Sequence, residues 1–104
     1  MFALEKHPLV DCDLEEAALW YAGRDAQVAA RFINAAEQAI RSAGREPLRF
    51  SERFGGVRRI NLAGFPYAVF ILLNGETVFI LAVLHSARDL RTALQRRSAE
   101  SDRA

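Results

Sequence analysis

Cysteine is almost absent from this sequence. Cys12 is the only cysteine among 104 residues, so a disulfide within the chain is excluded. No CxxC pair and no cluster of cysteine and histidine occurs that would indicate a zinc site. A reducing compartment is the natural setting for such a chain, and we expect a cytoplasmic protein that uses neither a metal nor a cofactor.

Long apolar segments, repeats and low-complexity linkers are also lacking. The apolar runs are too short to cross a membrane, and the first residues, MFALEKHPLVD, contain no apolar core of a signal peptide. We therefore expect neither membrane association nor secretion. The length predicts one domain over residues 1–97 with a small core, followed by a disordered tail over residues 98–104.

An apolar hairpin in the second half of the chain organises the rest. Residues 67–73 and 78–84 are continuous apolar runs, and they flank Asn74-Gly75, a pair that favours a tight type I′ turn. Their content of Val, Ile and Phe predicts two strands that are buried on both faces. Residues 57–62 alternate in polarity, which predicts a preceding strand with Ile60 and Leu62 facing inward and Arg59 facing outward.

Two helices are predicted before these strands. Asp13 with Glu16 forms a capping box, which places a helix start at about Asp13, and Gly23 is positioned to end this helix in the left-handed conformation. Asp25 is expected to cap a second helix that ends at Gly44. The apolar stripe of the second helix comprises Val28, Ala29, Phe32, Ile33, Ala36, Ile40 and Ala43. The short connector predicts an antiparallel helical hairpin.

The predicted fold class is α+β, in the order β-α-α-β-β-β. An edge strand over residues 2–7 comes first, residues 46–56 are expected to be irregular, and a short helix over residues 90–97 ends the domain. The helical hairpin would cover one face of an antiparallel meander. Because the C-terminal helix offers little apolar surface beyond Leu90, Ala93 and Leu94, we expect the other face to remain partly open, which indicates a protein partner.

Charge is distributed unevenly along the chain. Residues 1–52 hold nine acids and six bases, whereas residues 53–104 hold four acids and eight bases, all of them arginine. Arginine binds phosphate and carboxylate groups through two parallel hydrogen bonds. The asymmetry therefore indicates an anionic target or an acidic protein partner. A solvated basic surface is the alternative interpretation.

Three segments in this strand order resemble a known family. GGVRRI followed by FPYAVF, and ILAVLHSARD followed by a basic ending, are similar to the RelE/ParE superfamily of bacterial toxins over about residues 2–97. The resemblance implies the toxin of a type II toxin-antitoxin, or plasmid stabilisation, module that a cognate antitoxin neutralises. ParE-like members inhibit DNA gyrase, whereas RelE-like members cut mRNA on the ribosome. The fold does not choose between these targets.

The resemblance to RelE-like nucleases is poor at their site. Their catalytic positions correspond here to Arg59, Asn61, Ala68, Ala87 and Ala93. Most of the expected cations are missing, so we favour the ParE-like branch and no catalytic residue. On the nuclease alternative, Arg59, His85 and Arg88 would form a phosphate site with histidine as the acid. Enzymatic activity therefore stays open, and a non-toxic module that only binds an antitoxin is a third hypothesis.

Binding residues follow from the same resemblance. The predicted contacts to gyrase are Arg88, Arg91, Arg96 and Arg97. The predicted contacts to the antitoxin are Arg58, Arg59, Phe70, Leu90 and Leu94. Arg58 and Arg59 have an alternative role as anchors to acidic residues of the helices, such as Glu15 or Glu16, and His85 has an alternative role as a hydrogen-bonded joint at a strand end. No direct binding of DNA by the toxin alone is expected.

Overall fold

The computed structural model describes residues 2–87 and 90–102, and its strands form one sheet. The elements are β1 (Ala3–Lys6), α1 (Val10–Ala22), α2 (Ala26–Arg45), a 3-10 turn (Pro47–Arg49), β2 (Glu52–Phe54), β3 (Val57–Asn61), β4 (Tyr67–Asn74), β5 (Thr77–His85) and α3 (Arg91–Asp102). The strand order is β1-β5-β4-β3-β2. Strand β1 is parallel to β5, and the other neighbours are antiparallel.

The predicted α+β class and the order of the elements are confirmed, with one strand added. Strand β2 lies in the segment that was expected to be irregular, and it pairs with β3 through a register shift between Glu52 and Phe54. So short and irregular a strand leaves no alternating pattern for the sequence to show. None of the helices in the described ranges is long and apolar enough to span a membrane.

Helix α1 differs from its prediction at both ends. It begins at Val10 after Leu9, which makes no side-chain cap. Asp13 lies inside the helix and instead accepts a hydrogen bond from the Val83 backbone N–H at 3.0 Å. Gly23 has a right-handed φ of −64°, because the chain leaves the helix through a 2.8 Å bond from the Asp25 N–H to a carbonyl of the last turn. A left-handed glycine is therefore not required.

Helix α2 follows its prediction closely. The Asp25 side chain accepts the Gln27 N–H at 2.8 Å, which confirms the cap, and Phe32, Ala36 and Ala43 of the apolar stripe are buried. The predicted end at Gly44 is wrong by one residue, since the helix includes Gly44 and ends at Arg45. The reason for a glycine there is packing, because a Cβ at this position would lie 3.1 Å from the Leu4 side chain.

The central hairpin forms as predicted but with a different turn. Asn74 pairs with Thr77, so Gly75 is the first central residue of the turn and has a φ of +60°. Among the described residues, only glycines have positive φ. A positive φ at the first central position alone is typical of a type II′ turn, whereas the predicted type I′ turn needs it at both.

The sheet has a hydrophobic cluster on each face. The helical hairpin of α1 and α2 covers one face, called the hairpin face below. The sheet residues of its cluster are Ile60, Leu62, Val69, Ile71, Val78, Ile80 and Val83. On the α3 face the cluster consists of Val57, Ala68, Phe70, Leu81, Ala82, Leu84 and Leu94. A register shift between β4 and β5 follows Phe70 and allows Leu81 and Ala82 to belong to the same face.

The sheet face that was expected to remain partly open is largely covered, although Leu72 and Phe79 on it are only partly buried. Phe70 is 2% exposed and Leu94 is fully buried, because α3 lies over this face. Helix α3 does not end at Arg97 but runs to Asp102, so residues 98–102 of the predicted disordered tail are helical, and residues 103–104 lie outside the described ranges. The exposed large apolar side chains lie elsewhere in the described chain, at Leu4, Leu9, Leu19, Trp20 and Leu48.

Candidate functional site

A buried ion pair attaches α3 to α1. Arg97 Nη1 lies 2.6 Å from Asp13 Oδ2 and Arg97 Nη2 lies 3.2 Å from Asp13 Oδ1, and the two side chains are only 12% and 8% exposed. Arg97 also donates to the Leu81 carbonyl at 3.1 Å. The pairing of β1 with β5 ends at Lys6 and Ile80. Beyond that point the ion pair binds the β5 backbone, at the Leu81 carbonyl and the Val83 N–H.

A second polar contact joins α3 to the residue that follows β1. His7 is buried, and its Nε2 lies 3.2 Å from Glu100 Oε2. Its Nδ1 accepts the Leu9 backbone N–H at 3.1 Å, which leaves Nε2 as the nitrogen that carries the hydrogen and donates to Glu100. Both ends of the imidazole are thus used to hold the structure together.

The predicted gyrase-binding arginines do not form one cluster. Arg97 is engaged with Asp13, whereas Arg91 and Arg96 are exposed, and Arg88 lies outside the described residues. The Arg91 guanidinium stands 4.9 Å from the centroid of the Phe54 ring. A separation of five positions turns Arg96 by about 140° from Arg91 around the helix. Of the three arginines of α3, Arg91 and Arg96 are the exposed ones.

Arg59 and His85 of the nuclease alternative are not brought together. Arg59 lies on the α3 face, where its guanidinium is 5.8 Å from the Phe70 ring centroid and its Nε donates to Asn61 Oδ1 at 2.9 Å. His85 lies on the hairpin face, with its ring centroid 5.1 Å from that of Tyr67. The sheet separates the two side chains, and Arg88 lies outside the described residues.

His85 has the geometry of a structural joint. Its Nδ1 accepts the Ala87 backbone N–H at 3.0 Å, and the adjacent Ser86 N–H bonds to the Pro66 carbonyl at 2.8 Å. These bonds fix the chain where it leaves β5, as the joint interpretation predicts. His85 also lines a small cavity of about 180 Å³ with Trp20 and Glu16 at the end of α1.

Four aromatic rings pack together on the hairpin face. Tyr21 lies 5.3 Å from Phe32, 5.2 Å from Phe65 and 6.1 Å from Tyr67, measured between ring centroids. Burial, and then the neighbouring Tyr67 hydroxyl, raises the pKa of Tyr21 above its ordinary value. The Tyr21 phenol therefore stays protonated at neutral pH, which is suited to packing and not to general-base chemistry.

The residues predicted to bind the antitoxin are mostly used within the chain. Phe70 and Leu94 are buried, and Arg58 Nη1 donates to the Phe50 carbonyl at 2.7 Å instead of pairing with Glu15 or Glu16. Arg59 bonds Asn61 and also makes no ion pair with these acids. Arg58, Arg59 and Leu90 keep partly exposed side chains.

An open cleft that the sequence did not predict lies between α2 and β3. Its volume is about 710 Å³, and apolar side chains including Ala35, Ala39, Phe50, Ile60 and Phe65 line it. Arg31 and Arg49 also line it, and none of its described lining residues is acidic. The only sequence signal is the row of polar residues Asn34, Gln38 and Ser42 beside the apolar stripe, since the approach of α2 to β3 depends on tertiary structure.

The described residues contain no group of histidine, cysteine and acidic side chains that could hold a metal ion. Every buried side-chain nitrogen and oxygen in residues 2–87 and 90–100 has a hydrogen-bond partner. The site therefore consists of surfaces, namely the cleft beside α2 and the exposed arginines of α3.

The architecture is similar to that of a toxin-antitoxin protein. A solved structure of the chromosomal ParDE TA system from P. aeruginosa superimposes with a TM-score of 0.72 and covers 82% of this chain and 96% of that chain. The sequence identity is 16%, so this likeness concerns the fold. A comparison with curated proteins finds no match.

The family follows from the sequence itself. The family model described as ParE toxin of type II toxin-antitoxin system, parDE, matches residues 4–90, which is most of the chain. This protein belongs to the ParE toxin family. The predicted resemblance and the preference for its ParE-like branch are thereby confirmed.

Proposed function

We propose that this type II toxin is neutralised by a cognate antitoxin and inhibits DNA gyrase rather than cleaving mRNA. Family membership supports the toxin class. The observation that carries the choice of target is the placement of Arg59 and His85 on opposite faces of the sheet. Cleavage of RNA without a metal requires an acid, a base and cations around one phosphate.

The immediate contacts of these two residues support the same choice. The Arg59 guanidinium is already directed to Asn61, and one imidazole nitrogen of His85 is already occupied by the Ala87 N–H. Bringing either side chain to the other face would require a change in the register of a strand, because side chains alternate between the faces. The contacts of Arg59 and His85 therefore favour the gyrase alternative over the nuclease alternative.

Gyrase binding is assigned to the exposed part of the basic C-terminal region. Arg91 and Arg96 are exposed on α3, and Arg88 precedes the helix in the sequence. Exposed arginines suit an acidic protein surface, because a guanidinium group can bind a carboxylate through paired hydrogen bonds. Arg97 is not proposed to contact gyrase, because its guanidinium is engaged with Asp13 and the Leu81 carbonyl.

The antitoxin is assigned to the cleft between α2 and β3. An apolar floor with Arg31 and Arg49 among its lining residues fits an amphipathic segment with acidic side chains, by charge complementarity. At about 710 Å³ the cleft is also larger than the cavity of about 180 Å³ that His85 lines. This surface replaces Phe70 and Leu94, which α3 already covers.

The target is tested by producing the chain alone in a bacterium and following DNA and protein synthesis by pulse labelling. We expect DNA synthesis to fall first, and we expect the purified chain to inhibit supercoiling by gyrase. Early loss of protein synthesis would overturn the gyrase proposal in favour of a nuclease. Normal growth with intact antitoxin binding would favour the non-toxic module.

The two binding surfaces are separated by charge reversal. Arg91→Glu with Arg96→Glu should abolish toxicity, whereas the matched variant Arg24→Glu with Arg53→Glu, at exposed positions outside the proposed surfaces, should retain it. Arg31→Glu with Arg49→Glu should retain toxicity but lose rescue by a co-produced antitoxin. Toxicity that survives reversal at Arg91 and Arg96 would remove α3 from the mechanism, and full rescue of the cleft variant would remove the cleft from antitoxin binding.

A further inference from the structure

The two edges of the sheet differ in how well they are protected. Strand β2 at one edge has three residues and a register shift between Glu52 and Phe54. Glu52 Oε1 also accepts the Gly56 N–H at 2.8 Å, which secures the turn that follows. Short and irregular edges of this kind resist pairing with another strand. The other edge, β1, has no such irregularity in its pairing with β5.

The hydrogen bonds of β1 fix which of its amides point outward. The Ala3 N–H donates to the Glu76 carbonyl at 2.9 Å, and the His7 N–H donates to the Ile80 carbonyl at 2.8 Å. Because successive amides along a strand point to opposite sides, the N–H groups of Leu4 and Lys6 point away from β5. Within residues 2–87 and 90–102 neither group has a hydrogen-bond partner.

The open edge begins at Leu4. The preceding outward N–H, that of Phe2, is bonded to the Gly44 carbonyl at 3.0 Å, whereas all four residues of β1 are exposed. Leu4 retains 43% of its exposure, although it is an apolar residue in a strand. An unpaired edge with an exposed leucine is a surface that another strand can extend.

An apolar cavity lies next to this edge, at the C-terminal end of α2. Its volume is about 270 Å³, and Phe2, Leu4, Gly44, Arg41 and Arg45 line it. Gly44 is necessary for its shape, since a side chain there would meet Leu4. Arg41 has a long contact of 3.7 Å with Glu37, and Arg45 has no ion-pair partner among the described residues.

We propose that the outer edge of β1 binds an extended segment of a partner protein as an additional strand. Backbone groups of the segment bond to the Leu4 and Lys6 amides, one apolar side chain enters the cavity, and acidic side chains face Arg41 and Arg45. The surface is distinct from the cleft beside α2, so the inference does not depend on the gyrase or cleft proposals.

Charge decides between an acidic partner and a second copy of this chain. If two copies joined their β1 edges in one continuous sheet, the twofold axis would stand perpendicular to the sheet. Both α2 ends would then lie on the same face, and the arginines at positions 41 and 45 of the two copies would approach one another. Four like charges around one apolar cavity oppose that arrangement, whereas an acidic segment is attracted.

The test uses a short acetylated peptide in which leucine and valine alternate with glutamate, titrated into the full chain. Binding is followed by NMR of the backbone amides and by their hydrogen exchange. We expect the amides of Leu4 and Lys6 to become protected, while those of Ala3 and Glu5, which already face β5, change little. Docking of side chains without strand pairing would not produce this alternation, and uniform or absent protection would overturn the proposal.

Matched variants distinguish the contribution of the Lys6 backbone N–H to peptide binding from that of the Lys6 side chain. Lys6→Pro removes an outward N–H without removing a bond to β5, and proline is compatible with such an edge position. Lys6→Ala keeps the N–H and removes the same exposed ion pair with Asp11. Lys6→Pro should weaken peptide binding by roughly ten-fold relative to Lys6→Ala, the loss expected for an interchain backbone bond. Equal affinities would overturn strand addition.

Two further comparisons test the chosen partner. Arg45→Glu should weaken binding of the acidic peptide more than Arg53→Glu does, although Arg53→Glu makes the same charge change at the opposite edge. A peptide with lysine in place of glutamate should not bind. If the chain alone forms a dimer that Lys6→Pro abolishes, or if both peptides bind equally well, the edge does not select an acidic partner and the proposal fails.

Discussion

The two faces of the sheet are covered in different ways. On the hairpin face, α1 and α2 bury a continuous apolar cluster that includes Phe32, Ala36 and Ala43. On the α3 face, one helix covers the sheet, and Leu94 is its only residue that is described as buried. Two polar contacts also hold this helix, from Arg97 to Asp13 and from Glu100 to His7.

This difference shows that apolar and polar contacts contribute to the stability of the fold in different ways. Burial of apolar area supplies the dominant favourable free energy and needs no particular partner. A buried ion pair contributes little net stability, but it is costly to break, because removing one member leaves the other charge desolvated. We therefore expect the hairpin face to set the global free energy of unfolding and the α3 face to set whether α3 remains attached.

The largest effect is expected from Phe32→Ala on the hairpin face. Phe32 is fully buried and packs against Tyr21, Phe65 and Tyr67. Removing its ring should lower the free energy of unfolding by about 3–5 kcal/mol, measured by chemical denaturation. The control is Phe79→Ala, which truncates a half-buried ring on the α3 face and should cost less. Equal losses would contradict the difference between the faces.

The next effect is expected at the ion pair between α1 and α3. Asp13→Ala leaves the Arg97 guanidinium and the Val83 N–H without their partner, so the free energy of unfolding should fall by about 3 kcal/mol. The double variant Asp13→Leu with Arg97→Met should be more stable than Asp13→Leu alone or Arg97→Met alone, because it leaves no unpaired charge. Denaturation of all variants completes a double-mutant cycle, and additive losses would show that the pair is not coupled.

A smaller and local effect is expected from Glu100→Ala. The Glu100 side chain is 51% exposed where it bonds to His7, and exposed polar contacts contribute about 1 kcal/mol or less. Amide exchange in the last turn of α3 should become faster while global unfolding is unchanged. Glu37→Ala removes a solvent-exposed pair with Arg41 on α2 and should leave α3 unaffected. If both variants altered α3 alike, the contact to His7 would not be what holds the helix end.

The smallest effect concerns pH and the aromatic cluster. Burial raises the pKa of Tyr21 in the folded chain, so the unfolded chain releases this proton at a lower pH, near the ordinary value of about 10. The free energy of unfolding should therefore fall as pH rises above about 10, and this contribution should be fully present below it. Denaturation of Tyr21→Phe across this range should show a shallower fall, and an unchanged slope would exclude Tyr21 as a source.

Most of the hairpin face could be predicted from sequence. The stripe of α2, its Asp25 cap and the inward direction of Ile60 and Leu62 are local patterns with a fixed period, and the structure confirms them. The capping box at Asp13 was misread, because a carboxylate near a helix start can bond either its own helix or a distant group. No local pattern in the sequence shows that Asp13 pairs with Arg97, which lies far along the chain.

The α3 face and the candidate surfaces were harder to predict. Residues 98–102 have little apolar character, and their helix packs against the rest of the protein through Glu100 and His7. The burial of Phe70 and Leu94 follows from the position of α3, which leaves neither side chain exposed for the predicted antitoxin contact. Likewise, the cleft beside α2 and the open edge of β1 exist only once the sheet is assembled.

The amino-acid sequence by itself determined the element types, the central hairpin and the ParE family, because periodicity, turn residues and motif order are properties of neighbouring positions. The tertiary structure alone decided that Arg97 is buried, that Arg59 and His85 lie on opposite faces, and that the Leu4 and Lys6 amides point outward. These facts depend on which distant segments meet and in which register. A change of one residue in that register would reverse the side chains that each face presents.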